Sequence, residues 1–220
     1  MPTSEMDNEK KPMSRVERRR ERTRTALVDA VRKLTAEQGV DSVTISEIAE
    51  EADIGKGSFY NFFESKEELL QEAVQSIIFQ SGEIIDAINS ASNDPVEIIA
   101  TAFATFDQLT RNDPILGWFL VRMTAHDPAL GESLAERFAR DVAFGIETGK
   151  FNVPDVGIAT RAIRAALVDF FRHRLLGDVD DEGVVHFIHL MLRTLGANED
   201  AALRAARAAT KTDLEIRTEE

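Results

Sequence analysis

Residues 44–66 read T-I-S-E-I-A-E-E-A-D-I-G-K-G-S-F-Y-N-F-F-E-S-K. Thr44 with Glu47 three residues on is a capping box, so a helix starts here. Ile45, Ile48 and Ala49 give that helix one apolar face. Ala52-Asp53-Ile54-Gly55 ends it, because Asp tolerates the left-handed backbone of a tight turn and Gly55 can cap the next helix. A second, short helix spans Lys56 to Phe63. Ser65 with Glu68 then opens a third, long helix. Two short helices joined by a tight turn can set the second one into a DNA major groove. Lys56 and Lys66 are placed to meet phosphates, and Ser58, Tyr60 and Asn61 offer hydrogen bonds of different reach. Gly57 permits close approach of backbones. Phe62 and Phe63 anchor the helix. Phe59 either packs inside or touches a thymine methyl.

Together with the helix before it, this stretch resembles the DNA-binding domain of the TetR family of transcriptional regulators. The segments T-I-S-E-I-A-E-E-A, K-G-S-F-Y-N-F-F and E-S-K-E-E-L carry the likeness, which covers about the first third of the chain. Asp53 stands where a turn glycine is common, and Gly55 where a Ser or Thr cap is common; each can adopt the required backbone. The resemblance implies phosphate contacts from the start of the first helix (Arg22, Arg24), Thr44, Tyr60 and Lys66. It implies base-edge contacts from Ser58, Phe59 and Asn61.

Charge is distributed to match. Net charge over the 220 residues is −13, which opposes indiscriminate coating of nucleic acid. Yet Lys10 to Arg24 holds eight basic and two acidic residues, a local +6. Residues 71–220 hold 14 basic and 24 acidic residues, a net −10. Concentrated positive charge is what phosphate binding requires. Arg15 to Arg24 forms either the exposed start of a helix or an arm that rests on the backbone or enters a minor groove. The absence of cysteine excludes disulfides and thiolate zinc sites and fits a reducing, cytoplasmic setting. No apolar run suggests a signal peptide or a membrane span.

Beyond residue 65 the helical pattern continues without a convincing strand, so the fold class is all-α. An apolar stripe runs from Leu69 to Ile88 on one helix of roughly 25 residues, about 38 Å at 1.5 Å per residue. Asp-Pro pairs at 94, 113 and 127 read as helix cap plus first-turn proline. Further helices begin at Asp155, after Gly177 and after Asn198. The expected organisation is a disordered tail over 1–14, a three-helix DNA-binding domain over 15–64, and a helical effector-binding and dimerisation domain over 65–220.

The helix after Gly177 is apolar nearly all round, so it is expected to be buried on two sides, the second being either a subunit interface or more of the chain's own core. Ile163 and Leu167, with Val184, Phe187, Ile188, Met191 and Leu195, are the expected interface residues of a homodimer packed as a four-helix bundle. Phe103, Phe106, Trp118, Phe119, Met123, Phe138, Phe144 and Phe170 are the candidate lining of an effector pocket, with core packing the alternative for any one of them. By family resemblance, effector binding there alters the spacing of two DNA-binding heads. His186/His189 and Asp169/His173 share helix faces, but isolated pairs fit core or interface positions better than a metal. No catalytic constellation or phosphate loop is present, and no cofactor is expected. The resulting expectation is a ligand-responsive, sequence-specific repressor of a palindromic operator in double-stranded DNA. A DNA-bridging structural protein without effector, or a helical small-molecule-binding protein, are the alternatives.

Overall fold

A computed structural model describes residues 14–89, 92–126 and 132–211. The described residues form helices α1 (Arg15–Gln38), α2 (Ile45–Glu51), α3 (Lys56–Phe59), α4 (Lys66–Asn89), α5 (Pro95–Asn112), α6 (Pro114–His126), α7 (Glu132–Glu147), α8 (Val156–Leu176), α9 (Asp181–Thr194) and α10 (Glu199–Ala209), with a short 3-10 turn at Val40–Ser42. No strand occurs among them.

Local chemistry sets the boundaries. Ser14 caps α1 through a complete capping box with Glu17, so the arginine run is helical from Arg15 and the open choice between helix and arm falls to helix. Gly39, at φ +85° and ψ 158°, occupies a region closed to side-chain-bearing residues and turns the chain out of α1. Thr44 and Glu47 cap α2 reciprocally. Its far end is a Schellman turn, with Ile54 N bonded to Ala49 O at 2.9 Å and Asp53 N to Glu50 O at 3.1 Å. Asp53 holds the left-handed position at φ +53°. Asp94 caps α5 ahead of Pro95, and Asp113 Oδ1 accepts from Leu116 N at 3.0 Å ahead of α6. Asp155, Asp180 and Asn198 cap α8, α9 and α10. The cap expected at Asp127-Pro128 lies outside the described residues.

The buried side chains form two clusters. The first joins Leu27 and Val31 of α1, Ile48 of α2, Phe59 and Phe63 around α3, and Leu69 and Val74 of α4. It also takes in Leu116, Phe119 and Met123 of α6. The second packs α5, α8, α9 and α10 around Ile99, Phe103, Ile163, Ile188, Leu192 and Leu195, with Val142 of α7. Since α6 contributes to the first cluster and lies on the second's flank, the head and the body are joined through α6 as well as through α4. At 24 residues, α4 spans about 36 Å.

Candidate nucleic-acid interface and effector cavity

The surface around α3 is polar and open. Lys56, Gly57 and Asn61 are exposed, Ser58 is half-buried, and Tyr60 retains 55% of its accessible surface. The α-helical part of α3 is only four residues long. Its turn continues through Asn61 N and Phe62 N, bonded to Ser58 O at 3.1 Å and Phe59 O at 2.9 Å. Beneath it, Phe59 sits edge-on to Tyr60 at 5.4 Å and near Phe63 at 6.0 Å.

Phe59 corrects the base-edge expectation. It is fully buried, and a ring sealed in the core touches no base. Lys66 is a second correction. Its ammonium donates to Val40 O and Val43 O, both at 2.9 Å, so two of its three protons tie the start of α4 to the 3-10 turn instead of facing a phosphate. Arg24 is also engaged within the head. It makes a bidentate pair with Glu72 of α4, and its guanidinium lies 4.6 Å from the Phe63 ring centroid. That carboxylate raises the Arg24 pKa above its ordinary value against the opposing effect of burial. Thr44 is exposed, but its hydroxyl already donates to Glu47 Oε2 at 2.7 Å. Arg22 is exposed, as are Arg15 and Arg19. Arg20 reaches from α1 to Asn61 O at 3.4 Å, which places the basic start of α1 beside the end of α3.

A cavity of about 160 Å³ lies between α5, α6, α7 and α8. Of the residues named for an effector pocket, Phe103, Phe106 and Phe138 line it, together with Phe171. The other five expected lining residues are elsewhere. Phe119 and Met123 are buried in the first core cluster, and Trp118 packs against it. Phe144 is exposed at 37%. Phe170 stacks on Phe187 at 4.0 Å. Selection by aromatic character misses Gly117, Thr110, Thr124 and Thr160 on the same helix faces. The spacing 103, 106, 110 on α5 was the available signal, since i, i+3 and i+7 share a face. At Gly117 an added Cβ would lie 2.9 Å from Leu175 Cδ2 and 3.1 Å from Thr110 Cβ. Glycine there allows α6 to approach α5 and α8 closely.

The interface expectation is largely overturned within the single chain. Val184, Ile188, Met191, Leu195 and Ile163 are buried in the body's own core. Leu167 borders the cavity, as does Ile163. Phe187 is half-buried. The large apolar side chains that α8 and α9 do expose are Ile158 at 61%, Leu176 at 54% and Leu190 at 58%, and Ala162 and Ala165 of α8 are exposed as well. His186 is not a core residue: its side chain is 70% exposed, 3.5 Å from Glu182. His189 pairs with Glu199 at 3.1 Å. Among the described residues no group of three metal-ligating side chains assembles, and no helix is long and apolar enough to cross a membrane.

Two family models match the chain. Residues 27–73 match the model for bacterial regulatory proteins of the tetR family. Residues 94–208 match the tetracyclin repressor-like C-terminal domain. The crystal structure of RolR in complex with resorcinol is 35% identical in sequence, covers 86% of this chain and 95% of that chain, and superposes with a TM-score of 0.67. A gamma-butyrolactone receptor (ArpA-like protein) shares the fold at a TM-score of 0.69 and 18% identity, covering 88% of this chain and 97% of that one. BetI of Rhizobium meliloti (strain 1021), an HTH-type transcriptional regulator, is 34% identical over 77 residues, 35% of this chain and 38% of that protein. The uncharacterized HTH-type regulator YxbF of Bacillus subtilis (strain 168) is 37% identical over 86 residues, 39% of this chain and 22% of that protein. The matched segments therefore span well under half the length of these curated relatives.

Proposed function

This chain belongs to the TetR family of bacterial regulatory proteins, and from that membership we propose that it is a homodimeric repressor of a palindromic operator, released when a small effector fills the body cavity. It is a transcriptional regulator and not an enzyme. Its place of action is the cytoplasm, where the operator DNA is.

The observation that carries this reading is the double use of α6. One face puts Leu116, Phe119 and Met123 into the head's core. The other puts Gly117, Leu120, Val121 and Thr124 on the cavity. A ligand that fits the cavity better with α6 displaced shifts the position of the head, because packed interfaces move between discrete arrangements. In a dimer, that changes the spacing of two α3 segments that must meet successive major-groove faces.

On DNA, Ser58 and Asn61 face base edges, and Arg22, Lys56 and Tyr60 meet phosphates. Arg24, Thr44 and Lys66 orient the elements that carry them. Dimerisation covers the outer faces of α8 and α9 around Ile158, Ala162, Ala165 and Leu190, which are among the apolar groups left to solvent there. The effector is a small, flat, largely apolar ring. Aromatic walls favour it, and RolR, the relative crystallised with resorcinol, spans nearly the same length. A cavity of about 160 Å³ lies below the roughly 300–1,000 Å³ of drug-sized sites, so one ring fits better than several.

Selection of bound fragments from random DNA, at stated salt, tests the reading. An enriched inverted repeat, bound by two copies and released by small aromatic compounds, is expected. Binding of folded protein with no enriched site would sink the repressor assignment.

A further inference from the structure

Three threonines border the cavity, Thr110 on α5, Thr124 on α6 and Thr160 on α8. Each has its hydroxyl proton committed to a carbonyl of its own helix. Thr110 Oγ1 donates to Phe106 O and Asp107 O, both at 3.0 Å. Thr124 Oγ1 donates to Leu120 O at 2.8 Å, and Thr160 Oγ1 to Val156 O at 2.7 Å. A hydroxyl has one proton and two lone pairs. With the proton held by the backbone, what each oxygen retains is acceptor capacity. Thr110 and Thr160 are buried, so bulk water does not fill it. The charged side chains at the cavity border, Arg137, Asp141 and Arg164, are each already engaged in interactions of their own.

We propose that the cavity selects its ligand by hydrogen-bond direction: it takes a single aromatic ring bearing O–H or N–H donors, with phenols as the class. Rings of equal shape bearing an ether, a carbonyl or only a methyl bind more weakly. The inference rests on reading this cavity as the effector site. A donor on the ligand satisfies a threonine oxygen, whereas an ether oxygen sets lone pair against lone pair. A site that holds a buried partner for a hydroxyl discriminates strongly against the analogue without it. The acceptors come from three different helices, and Thr124 belongs to the one that reaches the head's core. Donor pairing at Thr124 therefore acts on the element through which the head senses the ligand.

Calorimetric titration of the full chain with phenol, anisole and toluene tests this. Phenol is expected to bind about tenfold tighter than either of the others, the effect of one hydrogen bond. Thr110→Val, Thr124→Val and Thr160→Val combined are expected to lose most of that preference while toluene still binds, which reports an intact cavity. Thr124→Ser should keep the preference. Equal binding of phenol, anisole and toluene leaves the cavity an aromatic site but overturns the donor rule, as does a preference that survives the three valine substitutions combined. No binding by any of the three overturns the aromatic-effector reading itself, and the donor rule with it.

Discussion

The Arg122 guanidinium on α6 donates to the Thr35 carbonyl on α1 at 3.3 Å, and it also lies 5.6 Å from the Trp118 ring centroid. Close by, Arg32 of α1 pairs with Asp113 at 3.2 Å, just ahead of α6. Head and body thus meet at a seam that is partly polar. Thr35 Oγ1 and Arg32 Nε are buried there without a hydrogen-bond partner. An apolar seam would grip by area alone, whereas directional bonds favour particular relative positions of α1 and α6.

Arg122→Leu removes the donor and keeps an apolar side chain against Trp118. The factor by which effector lowers operator affinity is expected to shrink by roughly 2- to 30-fold, corresponding to about 0.5–2 kcal/mol of coupling. Fluorescence anisotropy of labelled operator, with and without effector, measures it. An unchanged factor would remove Arg122 from the coupling route.

Asp107 and Arg174 join α5 to α8 at 3.0 Å, with side chains only 8% and 12% exposed. Arg174 further donates to Val179 O at 2.7 Å and to Asp181. Asp107→Ala leaves a buried guanidinium without its main partner, which costs about 3–5 kcal/mol. Urea unfolding should show the loss as a lower midpoint. A change under about 1 kcal/mol would mean that water or Asp181 compensates.

The burial of Phe59 and the anchoring of Lys66 separate stability from DNA contact. Phe59→Ala should cost about 3–5 kcal/mol and leave the ranking of operator variants unchanged for the folded fraction. Lys66→Met should cost about 1–3 kcal/mol and leave the salt dependence of binding intact. Arg22→Ala should instead reduce the salt slope by about 0.9. A reduced slope for Lys66→Met would return that ammonium to the phosphate contacts.

Two carboxylates make stability pH-dependent. Glu47 is held below its ordinary pKa by hydrogen bonds from the Thr44 side chain and backbone. Asp181 is lowered by its hydrogen bond and charge pairing with Arg174. A folded-state pKa below the unfolded one gives stability that is full above the unfolded value. It is lost as pH falls through the folded value. Thermal melts should therefore decline below about pH 4. Thr44→Val and Arg174→Leu should each flatten that decline, and parallel declines in the variants would exclude these contacts as its source.

Local signals in the sequence carried the element boundaries. Thr44 with Glu47, Asp94 with Pro95, Asp155 and Asn198 each supply an oxygen to helix-end N–H groups a few residues away. Asp53 and Gly39 supply backbone conformations. Such effects act over one turn, so they are legible without the rest of the chain. The open surface of Lys56, Tyr60 and Asn61 came from the same local pattern.

The destination of each apolar or charged side chain was decided by tertiary packing. Phe59, Phe119 and Met123 looked eligible for a ligand or a base, and Val184, Ile188 and Leu195 for a partner subunit. All six are buried inside this one chain. Periodicity identifies which face of a helix is apolar, but not which neighbour covers it. Lys66 likewise looked like a phosphate ligand until two carbonyls from residues 40 and 43 lay within 2.9 Å. Thr110, Thr124 and Thr160 show the same limit: composition reveals three hydroxyls, and only the packing of α5, α6 and α8 brings them to one cavity. Helix formation is governed by short-range sterics and capping, whereas core, cavity and exposed face arise from contacts between residues far apart in the chain.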